Sequence, residues 1–61
     1  MKKNQNKNVI VKNAKTFNGE VINGLFIFIG TTFKKEKEYA VVYDIFIHLI
    51  EINEFITKTH Y

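Results

Sequence analysis

The chain contains no cysteine, proline, serine, arginine or tryptophan. Without cysteine there is no disulfide, no zinc–thiolate centre and no thiol nucleophile, which leaves apolar burial and association with other chains as the means of stabilisation. Without serine the hydroxyl nucleophiles reduce to threonine and tyrosine, and no glycine-rich phosphate loop, paired-histidine motif or acidic metal cluster stands in the sequence. Neither catalysis nor a cofactor is expected. The lack of arginine removes the usual bidentate reader of guanine, so any contact with DNA or RNA should be weakly selective and salt-sensitive. Long apolar runs are lacking too: the stretch Leu25 to Ile29 reaches five residues, against roughly 20 for a bilayer-spanning helix. The basic start, Met1 to Lys7, is followed only by Val9, Ile10 and Val11 before Lys12 returns, too little for an export signal. A cytoplasmic protein without a membrane partner is expected.

What is present is enough to fold. The 61 residues are 46% hydrophobic, too rich for a disordered chain. A chain of this size buries about 60% of its unfolded surface, and its core contributes no more than about 3–5 kcal/mol. Marginal stability and self-association therefore go together. Lys2, Lys3, Lys7, Lys12 and Lys15 face no acid within residues 1–15, a local charge of +5, whereas Asp44, Glu51 and Glu54 against Lys58 leave −2 over residues 44–61. Such polarity suits head-to-tail contact or attraction to polyanions. Nine lysines, seven asparagines and nine isoleucines point to an AT-rich coding sequence, as in a phage or plasmid of a low-GC bacterium.

Residues 1–7 are polar and aperiodic and read as a disordered basic arm ahead of a single domain over residues 8–61. From Asn8 to Phe17 the pattern is that of a strand, ending at Asn18-Gly19, a dipeptide that favours a two-residue hairpin turn. Such a turn pairs Phe17 with Glu20, Val11 with Phe26 and Val9 with Phe28. A second Asn-Gly, Asn23-Gly24, reads as a bend or bulge inside the returning strand. Lys34 to Glu38 is a charged connection. Residues 39–57 fit two periods. As a strand, Tyr39, Val41, Tyr43, Ile45, Ile47 and Leu49 form one apolar face that fills the core; as a helix, Val42, Ile45, Leu49, Ile52 and Ile56 form a buried stripe. Eight β-branched residues between Val41 and Thr57 favour strand. The expected fold is mainly β, a small strongly bent antiparallel sheet or barrel. The alternative is α+β, a three-stranded antiparallel sheet with a C-terminal helix over 39–57.

The stretch Val9-Ile10-Val11-Lys12-Asn13-Ala14-Lys15-Thr16-Phe17-Asn18-Gly19-Glu20-Val21 resembles the first two strands of the small SH3-like and Sm-like β-barrels, with Gly19 at the bend. Phe46-Ile47-His48-Leu49-Ile50-Glu51-Ile52 looks like their fourth strand running into a short 3₁₀ turn and a final strand. The resemblance implies a fold and assigns no residue a role, since fold does not establish function.

Three sets of residues are candidates for function. Asp44, His48 and Glu51 would share one face of a helix, where they could bind a divalent metal or act as acid and base; on a strand Glu51 leaves that face, and a solvated polar surface is the expected reading. Phe17 and Tyr39, with Lys2, Lys3, Lys7, Lys12, Lys15, Lys34 and Lys35, could stack bases or meet an acidic partner. Val42, Phe46 and Ile50, with Ala40, form a second apolar face on the strand reading. Something must cover it: another copy of the chain, the C-terminal segment Asn53 to Thr59, or a target protein. The expected function is that of a non-enzymatic, self-associating binding protein, a homodimer or higher closed oligomer, that occupies a surface of a host protein or protein–nucleic acid complex. An inhibitor of a defence nuclease is the type. The alternative is a nucleic-acid-binding β-barrel of low sequence selectivity.

Overall fold

The computed structural model describes residues 6–60. Five strands, β1 (Lys7–Lys15), β2 (Val21–Lys34), β3 (Lys37–Tyr43), β4 (Ile47–Glu51) and β5 (Thr59–His60), form one antiparallel sheet in the order β4-β3-β2-β1-β5. One short helix, α1 (Ile52–Lys58), separates β4 from β5. The fold is mainly β, and residues 39–51 are strand and bend rather than helix. The sheet curls until Thr16, just past β1, bridges to Ile50 of β4 and the Phe17 amide donates to the Leu49 carbonyl at 2.7 Å. It stops short of a closed barrel.

The first hairpin shows how local chemistry sets register. Gly19 adopts φ +87°, its amide donates to the Thr16 carbonyl, and the Thr16 amide donates to the Glu20 carbonyl at 2.7 Å. The loop therefore holds Phe17, Asn18 and Gly19, with the glycine in the left-handed position typical of three-residue hairpin loops. Pairing is moved one place from the register that a two-residue turn would give. A bulge then moves it a second place, since Val11 pairs with Gly24 but Ala14 with Ile22. Asn13 takes the extra position at φ 56°, and its amide donates to Asn23 Oδ1 at 2.9 Å. Because side chains alternate with period two, two slips return the original face inward, and Val9, now opposite Phe26, stays in the core. Gly24 supplies the expected irregularity at φ +127°. The β2–β3 turn is tighter than the charged run implied: only Lys35 and Glu36 lie between the paired Lys34 and Lys37, at φ 50° and 66°.

The core consists of Val9, Val11, Ala14, Phe26, Ala40, Val42, Ile50 and Phe55. This corrects the expected orientation of β3 and β4. Val42 and Ile50, read as surface for self-association, are completely buried, whereas Tyr43 and Ile47, assigned to the core face, are exposed. The inner face takes Ala40, Val42 and Ile50 beside Phe26 and Phe55, while the Tyr43 hydroxyl reaches water more readily from outside. The C-terminal segment covers the inner face. Phe55 of α1 is buried and stacks on Phe28, with ring centroids 5.0 Å apart. Lys58 Nζ donates to the Asn13 carbonyl at 3.1 Å and the Lys15 amide to Glu54 Oε1 at 2.9 Å, fastening the helix to β1.

Candidate functional site

Rotating β3 and β4 in this way transfers the apolar surplus to the outer face. Cross-strand pairing aligns Ile27 with Tyr43 and Tyr43 with Ile47 in one row, and Val41 with Leu49 in the next. Ile10 paired with Leu25 extends the face across β1 and β2. The bend between β3 and β4 and the start of β4 carry three exposed apolar side chains, Ile45 at 77%, Phe46 at 70% and Ile47 at 55%; Phe33 near the end of β2 and Ile56 of α1 are exposed to a similar degree. Of the three residues expected to mediate self-association, Phe46 alone lies at the surface.

That bend is held by one carboxylate. Asp44 Oδ1 accepts the Phe46 amide and lies 3.1 Å from His48 Nε2, while the Asp44 amide donates to the Phe46 carbonyl. The Phe46 amide holds the Asp44 carboxyl below its ordinary pKa of 3.8 against an opposing desolvation, and the Ile45 amide and His48 add smaller contributions in the same downward direction. His48 is half-buried and packs edge-on against the buried Phe26 ring at 5.5 Å. Glu51 takes no part and pairs with Lys37 at 3.7 Å. The set Asp44, His48 and Glu51 is thus divided. Its first two members position a loop, and no group of three or more potential metal ligands occurs among the described residues.

Beside the bend lies a groove of about 560 Å³. Val41, Ile47 and Leu49 contribute to its floor from β3 and β4, Phe17 flanks it from the first hairpin, and Thr32 and Lys34 come from β2. Phe17 is fixed by its amide bond to Leu49 and by edge-to-face contact with Tyr39, ring centroids 5.3 Å apart. Hydrophobic alternation located the strands that build this groove. It did not reveal that Phe17 would be brought against β4, because that contact depends on the curl of the sheet.

Of the proposed polyanion residues, Phe17 lies beside Tyr39 and Lys15 in one cleft and beside Lys34 in the groove. Phe17 and Tyr39 do meet, but they share a small cleft with Glu51 and Glu54 as well as Lys15. Carboxylates at that position repel phosphate. Lys12 lies in the β1 bulge, Lys34 at the groove and Lys35 in the β2–β3 turn. Lys7, placed with the arm from sequence, is the first residue of β1 and pairs with Phe28. Lys2 and Lys3 lie outside the described residues, as does most of the arm. His60 pairs with Ile10 in β5. Among the described residues no helix is long and apolar enough to cross a membrane. No protein-family model, curated protein or solved structure matches the chain.

Proposed function

We propose that this chain is a non-enzymatic binding protein, encoded by a phage or other mobile element and acting in the cytoplasm. It associates with its own copies and occupies a surface of a host macromolecular complex, as an inhibitor of a defence nuclease would. The observation that carries this reading is the exposed apolar hairpin, with Tyr43, Ile45, Phe46 and Ile47 turned to water. At roughly 150–250 Å² for a large side chain, these residues with Ile29 present on the order of 500 Å² of apolar surface, near the upper end of what a monomer leaves uncovered. The Asp44 contacts add to it, because a loop tied at both its amide and its side chain loses little entropy when a partner docks.

Sedimentation at micromolar concentration tests the first part, with a mass at a multiple of 7.2 kDa expected. A solitary 7.2 kDa species throughout the range would overturn self-association. Titration with single- and double-stranded DNA and RNA at two salt concentrations tests the mode of action. Low-micromolar binding with a steep salt slope would replace this reading with the nucleic-acid one.

A further inference from the structure

Resting on that reading, we infer that the partner on the outer face is a second copy of the chain, and that the contact is reciprocal: the Asp44–Phe46 bend of each copy enters the groove of the other. A twofold interface must be self-complementary, with every projection on a surface matched by a recess on the same surface. The β3–β4 hairpin meets that condition. Its tip projects Ile45 and Phe46, and its body supplies Val41, Ile47 and Leu49 to the groove. The Tyr43–Ile47 pair adjoins the tip, and its Ile47 also lines the groove. The Val41–Leu49 pair is two residues further along the strands, roughly 7 Å at the usual rise. A twofold axis passing near Tyr43 and Ile47 therefore sets each tip over the other copy's groove.

Size, area and charge agree with this occupant. The groove volume of about 560 Å³ lies within the range that holds compact apolar groups, and the projecting side chains are one isoleucine and one phenylalanine. Two faces of about 500 Å² each bury on the order of 1,000 Å² together, the lower limit for a specific interface, and Ile10 and Leu25 extend it. Lys34 is the groove's one lysine, while the entering bend brings the Asp44 carboxylate. Between Val41 and Leu49 the one acidic side chain is Asp44, which the reciprocal arrangement carries toward the groove that Lys34 lines.

The test uses two full-length variants, Phe46→Asp at the projection and Leu49→Lys at the groove. Both side chains point outward from the core, and circular dichroism matching the parent establishes that each variant folds. Each variant alone should sediment as a monomer, because either change spoils both reciprocal contacts. An equimolar mixture should recover the dimer: one contact is unaltered and the other sets the new carboxylate against the new ammonium. Dimers persisting in both single variants would overturn this interface while leaving self-association intact. Monomers in the mixture would overturn the reciprocity. A parent chain that is itself monomeric would instead refute the reading on which the inference rests, and the parent bound only to a foreign apolar peptide would give the face to a target.

Discussion

Replacing Ile50 by Ala tests which face of β4 is the inner one, the assignment from which the interaction surface follows. Ile50 is completely buried and its strand also bridges to Thr16, so little can move in to fill the gap. Removing three carbons forfeits about 2.4 kcal/mol at ~0.8 kcal/mol per methylene. A residual void of about 50 Å³ adds about 1 kcal/mol. The expected loss is therefore near 3.5 kcal/mol. A 61-residue domain at the usual 0.05–0.15 kcal/mol per residue holds roughly 3–9 kcal/mol in all. Ile50→Ala should thus be partly unfolded in buffer at room temperature, and Ile50→Val, losing about 1 kcal/mol, should remain measurable. Leu49→Ala, one residue away on the outer face, should cost about 1 kcal/mol or less. Urea unfolding followed by far-UV circular dichroism measures all three, at the lowest workable protein concentration because association adds to apparent stability by mass action. A loss under about 0.5 kcal/mol for Ile50→Ala together with more than about 2 kcal/mol for Leu49→Ala would refute the assignment and the surface built on it.

Two further predictions concern the turns. Lys35 and Glu36 both have positive φ, a conformation costing an ordinary L-residue about 1–2 kcal/mol, so Lys35→Asn with Glu36→Gly should raise the urea midpoint by an amount equivalent to about 1 kcal/mol or more; an unchanged or lower midpoint counts against the turn as described. The depressed pKa of Asp44 stabilises the fold above its unfolded value of 3.8, and this contribution disappears as pH falls through the lower folded value. The urea midpoints of the parent and Asp44→Asn should therefore differ near about pH 6 and converge near about pH 2, whereas a constant difference would contradict the link between this carboxylate and the bend.

Much of the architecture is legible in the residue pattern. Alternation marked the strands, Asn18-Gly19 marked the first reversal, and the β-branched residues correctly favoured strand over helix through Glu51. The segment Asn53 to Thr59 was among the possible covers for the Val42 and Ile50 face, and with Phe55 it covers it. Three features were illegible for definable reasons. A three-residue loop and a two-residue loop can each be written around one Asn-Gly, and the choice depends on the Thr16–Glu20 pairing. The bulge at Asn13 needs Asn23 opposite to receive its amide. Which face of β3 and β4 turns inward is not encoded by period two at all when both faces are apolar. That last ambiguity inverted the expected surface. It exchanged Val42 and Ile50 for Tyr43 and Ile47 and left Phe46, in the bend between the strands, common to both readings.

An AT-rich coding bias would be a simpler source of exposed isoleucine than a docking face, and the distribution of polar residues decides between them. Such a bias supplies lysine and asparagine as freely as isoleucine, and the chain has nine lysines and seven asparagines. On β1 they appear where solvent demands them, as Lys7, Asn8 and Lys12, and Lys34, Lys35 and Lys37 surround the β2–β3 turn. From Glu38 to Ile52 there is neither a lysine nor an asparagine, although this stretch includes the open bend and an edge strand, the places where small β proteins usually put lysine to prevent adhesion. The ten residues Gly24 to Phe33 of β2, the strand that pairs with β3, lack both as well, so the gap extends over adjoining strands. Selection for solubility would have filled these positions, whereas selection for contact would keep them apolar, which supports the interface proposed on β3, β4 and the bend that joins them.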